Sequence, residues 1–171
     1  MQAIEVVDGW GVRDEVVAGL SGDFREALTT SSLLSSGWYP VEWHRTLLGV
    51  VVARGGVLGL REVIHAASRA NVGAVHRLLV RAFTPDLLIK QASRVFSSLF
   101  EATFLVEIPQ PRQARVQWRG CKGFDKTCWL AQIESMDALV TMSGARITRR
   151  VVVSGGGPSC DSMAVDFSWH A

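Results

Sequence analysis

The chain has 171 residues, of which 48% are hydrophobic and 20% charged, and its formal net charge is +2. This balance is typical of a folded domain and well away from that of a disordered chain, and so small a charge does not predict binding to nucleic acid or to an anionic membrane. We predict a single domain over residues 1–171, with a mainly helical half in 1–100 and a sheet–helix half in 101–171.

The start of the chain lacks a basic segment followed by an apolar core, so no signal peptide is predicted. Arginines interrupt the most hydrophobic third before any apolar run reaches the roughly 18 residues that a membrane span needs. Three cysteines are too few, and odd in number, for a secreted disulfide framework. The sequence therefore predicts a cytoplasmic protein with reduced thiols and no membrane span.

The first 100 residues read mainly as amphipathic helices. The valine-rich lead-in fits either a helix or a short strand at Ile4–Val7, and the helices that follow are predicted over about residues 23–29, 40–54, 58–70, 72–82 and 85–100. The last of these has an unusually broad apolar face, which indicates either central burial or a shared dimer surface. We predict a homodimer whose interface candidates are Leu88, Ala92, Val95, Phe96 and Leu99.

The second half predicts a sheet with one inserted helix. Apolar and polar residues alternate in Gln113–Arg119, which is expected to form a hairpin with the β-rich residues 103–108. Asp125 is placed to cap a helix that ends at Gly144, and two further alternating runs flank the turn Gly155–Pro158. The predicted fold is α+β: a helical half packed on a four-stranded antiparallel ββαββ sheet, with Trp118, Trp129 and Trp169 in its core.

The sequence contains no phosphate-binding loop, dinucleotide motif or nucleophile elbow, so we predict no catalytic residues, no enzyme activity and no cofactor. Cys121, Cys128 and Cys160 could converge to hold zinc or to act as thiols, but they lack the spacing of a tight CxxC knuckle. Buried, inert thiols are the interpretation that we prefer.

Histidines and arginines give two further candidate sites. His44, His65 and His76 lie on predicted helices, and any of them could be the axial ligand of a haem, although solvated helix flanks are the favoured interpretation. Five arginines give the sheet a basic bias: Arg115, Arg119, Arg146, Arg149 and Arg150. If Arg115 and Arg119 share the outer face with Arg146 and Arg150, these four could bind an acidic partner, although such residues usually only solvate a sheet.

Several segments resemble a family of paralogous myxobacterial proteins of unknown function, from about Glu5 to Trp169. They are YPVEW at Tyr39–Trp43, VFSSLFEATF, QARVQWRG, GFDKTCW and SGAR. That family is similar in layout to the haem-nitric-oxide-binding domains, to the small-ligand domains named after four-vinyl reductase, and to one class of TRAPP trafficking subunit. The resemblance implies helices packed on an antiparallel sheet with one inserted helix.

These relatives imply different functions. Haem-binding members carry a YxSxR motif, and its absence from this sequence argues against haem. Vinyl-reductase-type domains carry a set of cysteines near the end, to which CDSMAVDF at Cys160–Phe167 is similar only in part. TRAPP subunits are non-enzymatic and dimerise through helices, a role that the face of Leu88–Phe100 would suit.

Our main hypothesis is a non-enzymatic cytoplasmic regulatory or scaffolding domain that dimerises and binds a protein partner. The alternative is a sensor that holds a small apolar ligand or haem between the helices and the sheet. The pocket candidates for that alternative are Trp43, His44, Phe96, Phe104 and Trp118, with His65 as a second histidine. A zinc or thiol site at Cys121, Cys128 and Cys160 is the weakest hypothesis.

Overall fold

The computed structural model describes residues 13–30, 38–71 and 84–170. Within these ranges the helices are α1 (Arg13–Ala18), α2 (Gly22–Thr29), α3 (Val41–Asn71), α4 (Pro85–Leu99) and α5 (Lys126–Met142). The strands are β1 (Thr103–Gln110), β2 (Gln113–Arg119), β3 (Arg146–Gly155) and β4 (Met163–His170). They form one antiparallel sheet in the order β1-β2-β4-β3, so the predicted α+β fold with a ββαββ unit is confirmed.

Two predicted elements, the lead-in strand at Ile4–Val7 and the helix over residues 72–82, lie outside the described residues, as does His76. Among the described helices, none has the length and apolar character required to cross a membrane.

Helix α3 consists of two helical segments joined at a kink, as the sequence predicts. The predicted break at Gly55–Gly56 is confirmed, because the backbone of Gly56 is non-helical, with a φ of 62° and a ψ of -161°. Burial explains why the helix resumes, because Leu48 and Val51 before the kink and Leu60 and Val63 after it all belong to the same core.

Helix α4 lies against the inner face of the sheet. The Thr84 hydroxyl oxygen accepts a 3.4 Å hydrogen bond from the backbone N–H of Leu87, which caps the helix. The predicted interface residues Leu88, Ala92 and Phe96 are buried within the chain's own core, while nothing is described of the Val95 and Leu99 side chains. Central burial thus accounts for the broad apolar face, and a dimer through these three residues would require α4 to leave the core.

Helix α5 packs against α3 and contacts strands β3 and β4 of the sheet. Asp125 caps it as predicted, its Oδ1 accepting a 2.9 Å hydrogen bond from the backbone N–H of Cys128, and Gly144 ends it with a φ of 89°. Trp118, Trp129 and Trp169 are 0%, 2% and 5% exposed, so their predicted core positions are confirmed.

Strand β3 is an edge strand that α5 leaves largely uncovered. Its register shifts between Ile147 and Arg149 and again between Val152 and Ser154, which breaks the regular alternation that the sequence predicts. As a result Val151, Val152 and Val153 are all exposed.

Candidate functional site

A row of aromatic rings joins α4 to the inner face of the sheet. Ring centroids lie 5.4 Å apart for Phe96 and Phe104 and 5.4 Å apart for Phe104 and Trp118. At the other end of the row, Phe100 lies 4.9 Å from Phe96 and 5.8 Å from the ring of His44, which it meets edge-on. Four of the five predicted pocket residues therefore lie along one row, which we call the aromatic row: His44, Phe100, Phe96, Phe104 and Trp118.

Trp43 does not join the aromatic row. Its ring stacks on Phe24 at 4.8 Å and on Tyr39 at 5.5 Å, in a separate small cluster that α2 forms against α3. Trp43 and His44 are consecutive in a helix, so their side chains point about 100° apart around its axis. Trp43 thus anchors α2, and it is not part of the predicted pocket.

Two nitrogen atoms on the aromatic row are buried without a hydrogen-bond partner: Nε2 of His44 and Nε1 of Trp118. An unsatisfied buried polar group costs about 1–3 kcal/mol, so two of them in one cluster call for an explanation. Burial lowers the pKa of His44 below its ordinary value, although the charge of Asp125 acts in the opposite direction. His44 is therefore a neutral imidazole among aromatic rings, and the predicted solvated flank is wrong for this residue.

A second group of polar side chains lies between α3, α5 and β3, and we call it the ionic cluster: Arg61, His65, Glu134, Asp137 and Arg150. Glu134 and Asp137 are three residues apart on α5 and are only 3% and 4% exposed. Arg61 donates to Oδ2 of Asp137 at 2.8 Å and lies 3.5 Å from Oε2 of Glu134. Arg150 donates to Oε1 of Glu134 at 2.6 Å. Two buried negative charges are thus balanced by two guanidinium groups.

His65 completes the ionic cluster from α3. Its Nε2 atom lies 3.3 Å from Oδ2 of Asp137 and 3.6 Å from Oε2 of Glu134, the latter too long for a hydrogen bond. Burial by itself raises the pKa of Glu134, but the nearby imidazole and the charges of Arg150 and Arg61 hold it below its ordinary value. The solvated flank predicted for His65 is wrong, since its side chain is only 12% exposed.

The sequence gives one local indication of the ionic cluster. Glu134 and Asp137 are three residues apart, on one side of a helix that also buries Met136, Ala138 and Val140. Acidic residues on an otherwise apolar helix are rarely buried without partners, so their position indicates a buried ion pair or ligand set. The identity of the partners depends on the tertiary fold.

The three cysteines do not form a metal site. The backbone N–H of Cys121 donates to the carbonyl oxygen of Asp161 at 2.8 Å, so the two loops meet as the zinc hypothesis requires. Yet the only group of three ligands within coordination distance, in the part of the chain that the structure describes, is His65, Glu134 and Asp137. Burial raises the pKa of Cys121 and of Cys128 to about 12, which makes both inert thiols.

Two of the predicted arginines, Arg115 and Arg119, lie on the outer face of the sheet. Arg115 forms a bidentate salt bridge with Asp166, with hydrogen bonds of 2.7 and 2.8 Å. Arg119 donates a 2.6 Å hydrogen bond to the side-chain oxygen of Gln117. Arg115, Gln117 and Arg119 line a shallow cleft of about 250 Å³ together with Ser154. Arg150 instead reaches the ionic cluster, so the five arginines do not act as one surface.

Comparison with solved structures places the chain in the fold class of the H-NOX domains. The Fe(II) unliganded H-NOX protein from K. algicida matches with a TM-score of 0.69 at 10% identity, covering 99% of this chain and 94% of that chain. The H-NOX protein from S. oneidensis in the Fe(II) ligation state matches with a TM-score of 0.60 at 12% identity, covering 100% and 97%. The Shewanella woodyi H-NOX in the Fe(II)CO state matches with a TM-score of 0.64 at 11% identity, covering 96% and 89%.

At these identities the likeness establishes the fold and no more. No protein-family model matches the sequence, and no curated protein matches it. The predicted similarity in layout to the haem-nitric-oxide-binding domains is confirmed, whereas the myxobacterial, vinyl-reductase and TRAPP resemblances remain predictions.

Haem is named for members of this fold class, so we tested whether the described residues fit it. A haem needs an axial ligand beside a flat apolar cavity. Among the described histidines, His65 lies beside two carboxylates and His170 is exposed at the end of β4, which leaves His44. Its ring, however, is in contact with Phe100, and Phe100 in turn with Phe96. As packed, the described residues do not fit a haem.

Proposed function

We propose that the chain is a non-enzymatic sensor domain that takes up a small, mostly apolar ligand between α4 and the sheet. One observation carries the proposal: the buried Nε2 of His44 and Nε1 of Trp118, on the same aromatic row, have no hydrogen-bond partner. Ligand sites in proteins typically combine an apolar lining with a few convergent polar groups, and the aromatic row has this composition.

The two nitrogens define the chemistry that the ligand must bring. The indole N–H of Trp118 can only donate, so it needs an acceptor such as a carbonyl or ether oxygen. His44 is neutral and can accept or donate, depending on which nitrogen carries its proton. The rest of the lining is aromatic, so we expect an apolar body with one or two oxygen atoms.

Entry of the ligand requires a ring to move. Phe100 is half-buried, caps the end of α4 and touches the rings of His44, Phe96 and Phe124. Rotation of Phe100 outward would open the row beside His44 while leaving Trp118 in place. Solved members of the fold class hold small ligands, since one is described as oxygen-binding and another is bound to IWP-051.

Native mass spectrometry and ¹H–¹⁵N NMR of the full chain test the proposal. We expect either a co-purifying small molecule or, on addition of a medium-chain methyl ketone, a shift of the Trp118 indole N–H resonance. The Trp129 indole should not shift, because it already donates to the carbonyl oxygen of Gly157 at 3.3 Å. A protein that retains nothing and leaves the Trp118 resonance unchanged would refute the proposal, and a Soret band on addition of hemin would favour haem instead.

A second candidate function is the docking of a protein partner along β3. This edge strand presents Val151, Val152 and Val153 with Arg146 and Arg149, and exposed edges are templates for an additional strand. The arginines favour an acidic partner. Pull-down of an acidic strand peptide by the wild type, and its loss in Val152→Pro, tests this candidate, because proline cannot donate to an added strand.

A further inference from the structure

Helices α3 and α5 bring one imidazole and two carboxylates to a common point inside the molecule. Nε2 of His65, a carboxylate oxygen of Glu134 and one of Asp137 all lie within 4.8 Å of one another. We propose that these three side chains bind a divalent metal ion, with Zn²⁺ as the expected preference, and that Arg61 competes with the ion for the same oxygens. The proposal is independent of the ligand proposed for the aromatic row.

The distances from the imidazole nitrogen to the two carboxylates suit a tetrahedral ion. Zinc binds nitrogen and oxygen ligands at about 2.0–2.2 Å, so two ligands of one tetrahedral ion are about 3.3–3.6 Å apart. His65 Nε2 lies 3.3 Å from Oδ2 of Asp137 and 3.6 Å from Oε2 of Glu134. Imidazole with carboxylate is a ligand set that zinc accepts, and three protein ligands leave one position for water or substrate.

Unpartnered atoms give a second and independent reason to expect a ligand here. Oε2 of Glu134 and Nε2 of His65 are buried and make no hydrogen bond, and the Glu134 residue is 97% buried, given its exposure of 3%. A buried carboxylate normally uses both oxygens, because an unsatisfied one costs free energy. The two atoms without a hydrogen bond lie 3.6 Å from each other, so one ion could contact both.

Arg61 explains how the same site can exist without a metal. Its guanidinium contacts Oδ2 of Asp137 and approaches Oε2 of Glu134, the two oxygens that would bind the ion. The Arg61 side chain is 44% exposed, so it can turn into solvent when an ion takes its place. Arg150 contacts the other oxygen of Glu134, Oε1, and need not move.

A Zn²⁺ titration of the full chain, followed by calorimetry and repeated with Co²⁺ by absorption, tests the proposal. We expect one ion per chain. Arg61→Met should tighten binding by about ten- to a thousandfold, because it removes a positive charge a few ångströms from the ion. The matched control is Arg45→Met, an arginine of the same helix that is 43% exposed and pairs with Asp125, and it should leave binding unchanged.

The Co²⁺ spectrum distinguishes the proposed site from binding by the cysteines. Thiolate ligands give an intense near-ultraviolet band, which imidazole and carboxylate ligands do not give. Asp137→Asn should weaken binding by at least about tenfold, because the amide oxygen is a poorer ligand. Equal metal affinities in Arg61→Met and Arg45→Met, or a thiolate band, would overturn the proposal. The ionic cluster would then be a structural network of ion pairs. If Asp137→Asn does not fold, the comparison of the two arginine variants still decides.

Discussion

Arg150 on β3 donates a 2.6 Å hydrogen bond to Oε1 of Glu134 on α5, and this contact joins the most exposed strand to the helix that covers the sheet. The Glu134 side chain is 5% exposed and that of Arg150 is 36% exposed. A charge as deeply buried as Glu134 depends on its partners, because water cannot replace them.

We predict that Arg150→Met lowers the free energy of unfolding by about 2–4 kcal/mol, since it leaves a buried carboxylate oxygen without a partner. Urea denaturation measures the change. Arg115→Met is the matched control, because Arg115 and Asp166 are both more than 40% exposed and their pair should contribute less than about 1 kcal/mol. Equal losses in the two variants would contradict the structural role of Glu134.

Burial of His44 makes stability depend on pH. Its pKa in the folded chain is lowered from an ordinary value of 6.5, so folding disfavours the protonated form. The contribution of the neutral imidazole to the free energy of unfolding is fully present above pH 6.5 and is lost as the pH falls through the pKa of His44 in the folded chain. We predict a smaller free energy of unfolding at about pH 5.5 than at about pH 7.5.

His44→Leu should remove most of this pH dependence, whereas His170→Leu, at an exposed position of β4, should keep it. Glu134 contributes in a lower window, because its pKa is held below 4.5 and its stabilisation is lost only in more acidic solution. If the free energy of unfolding depends on pH in the same way in the wild type and in His44→Leu, the pH dependence does not come from His44.

The elements that the sequence predicts correctly are those with local causes. The alternation in Gln113–Arg119, the cap at Asp125 and the left-handed end at Gly144 each depend on neighbouring residues, and all three are observed. The break predicted at Gly55–Gly56 is also observed, as the kink at Gly56, and it has the same kind of local cause, since glycine has a low helix propensity. That a helix resumes directly after the kink depends on tertiary contacts, because Leu60 is buried in the core there.

The aromatic row was largely predictable and the ionic cluster was not. Apolar rings on the inner faces of predicted elements must meet in one core, so the sequence can identify most members of the aromatic row, while their role as a pocket stays a prediction. Arg61 and Asp137, by contrast, are 76 residues apart, and no periodicity relates them. The same limit explains why His65 looks like a solvated histidine until α5 is packed against α3.

Gly155 should tolerate no side chain. It has a φ of 69°, and an added Cβ would overlap the carbonyl of Ser162 across the β3–β4 hairpin. We predict that Gly155→Ala lowers the free energy of unfolding by more than about 3 kcal/mol, because strain and overlap add. Gly56→Ala has a similar φ of 62° with nothing within 4 Å, so it should cost only about 1–2 kcal/mol. If urea denaturation shows similar losses of unfolding free energy in Gly155→Ala and Gly56→Ala, the predicted overlap in the β3–β4 hairpin is wrong.

The reactivity of the cysteines follows from their burial. With a pKa of about 12, the thiols of Cys121 and Cys128 are almost wholly protonated at about pH 8, and both are shielded from solvent. Cys160 is only partly buried, in the loop before β4. We predict that iodoacetamide modifies Cys160 first in the native chain, and all three cysteines in urea, as counted by intact mass. Modification of Cys128 before Cys160 in the native chain would mean that α5 opens at its first turn, where Asp125 holds the Cys128 backbone.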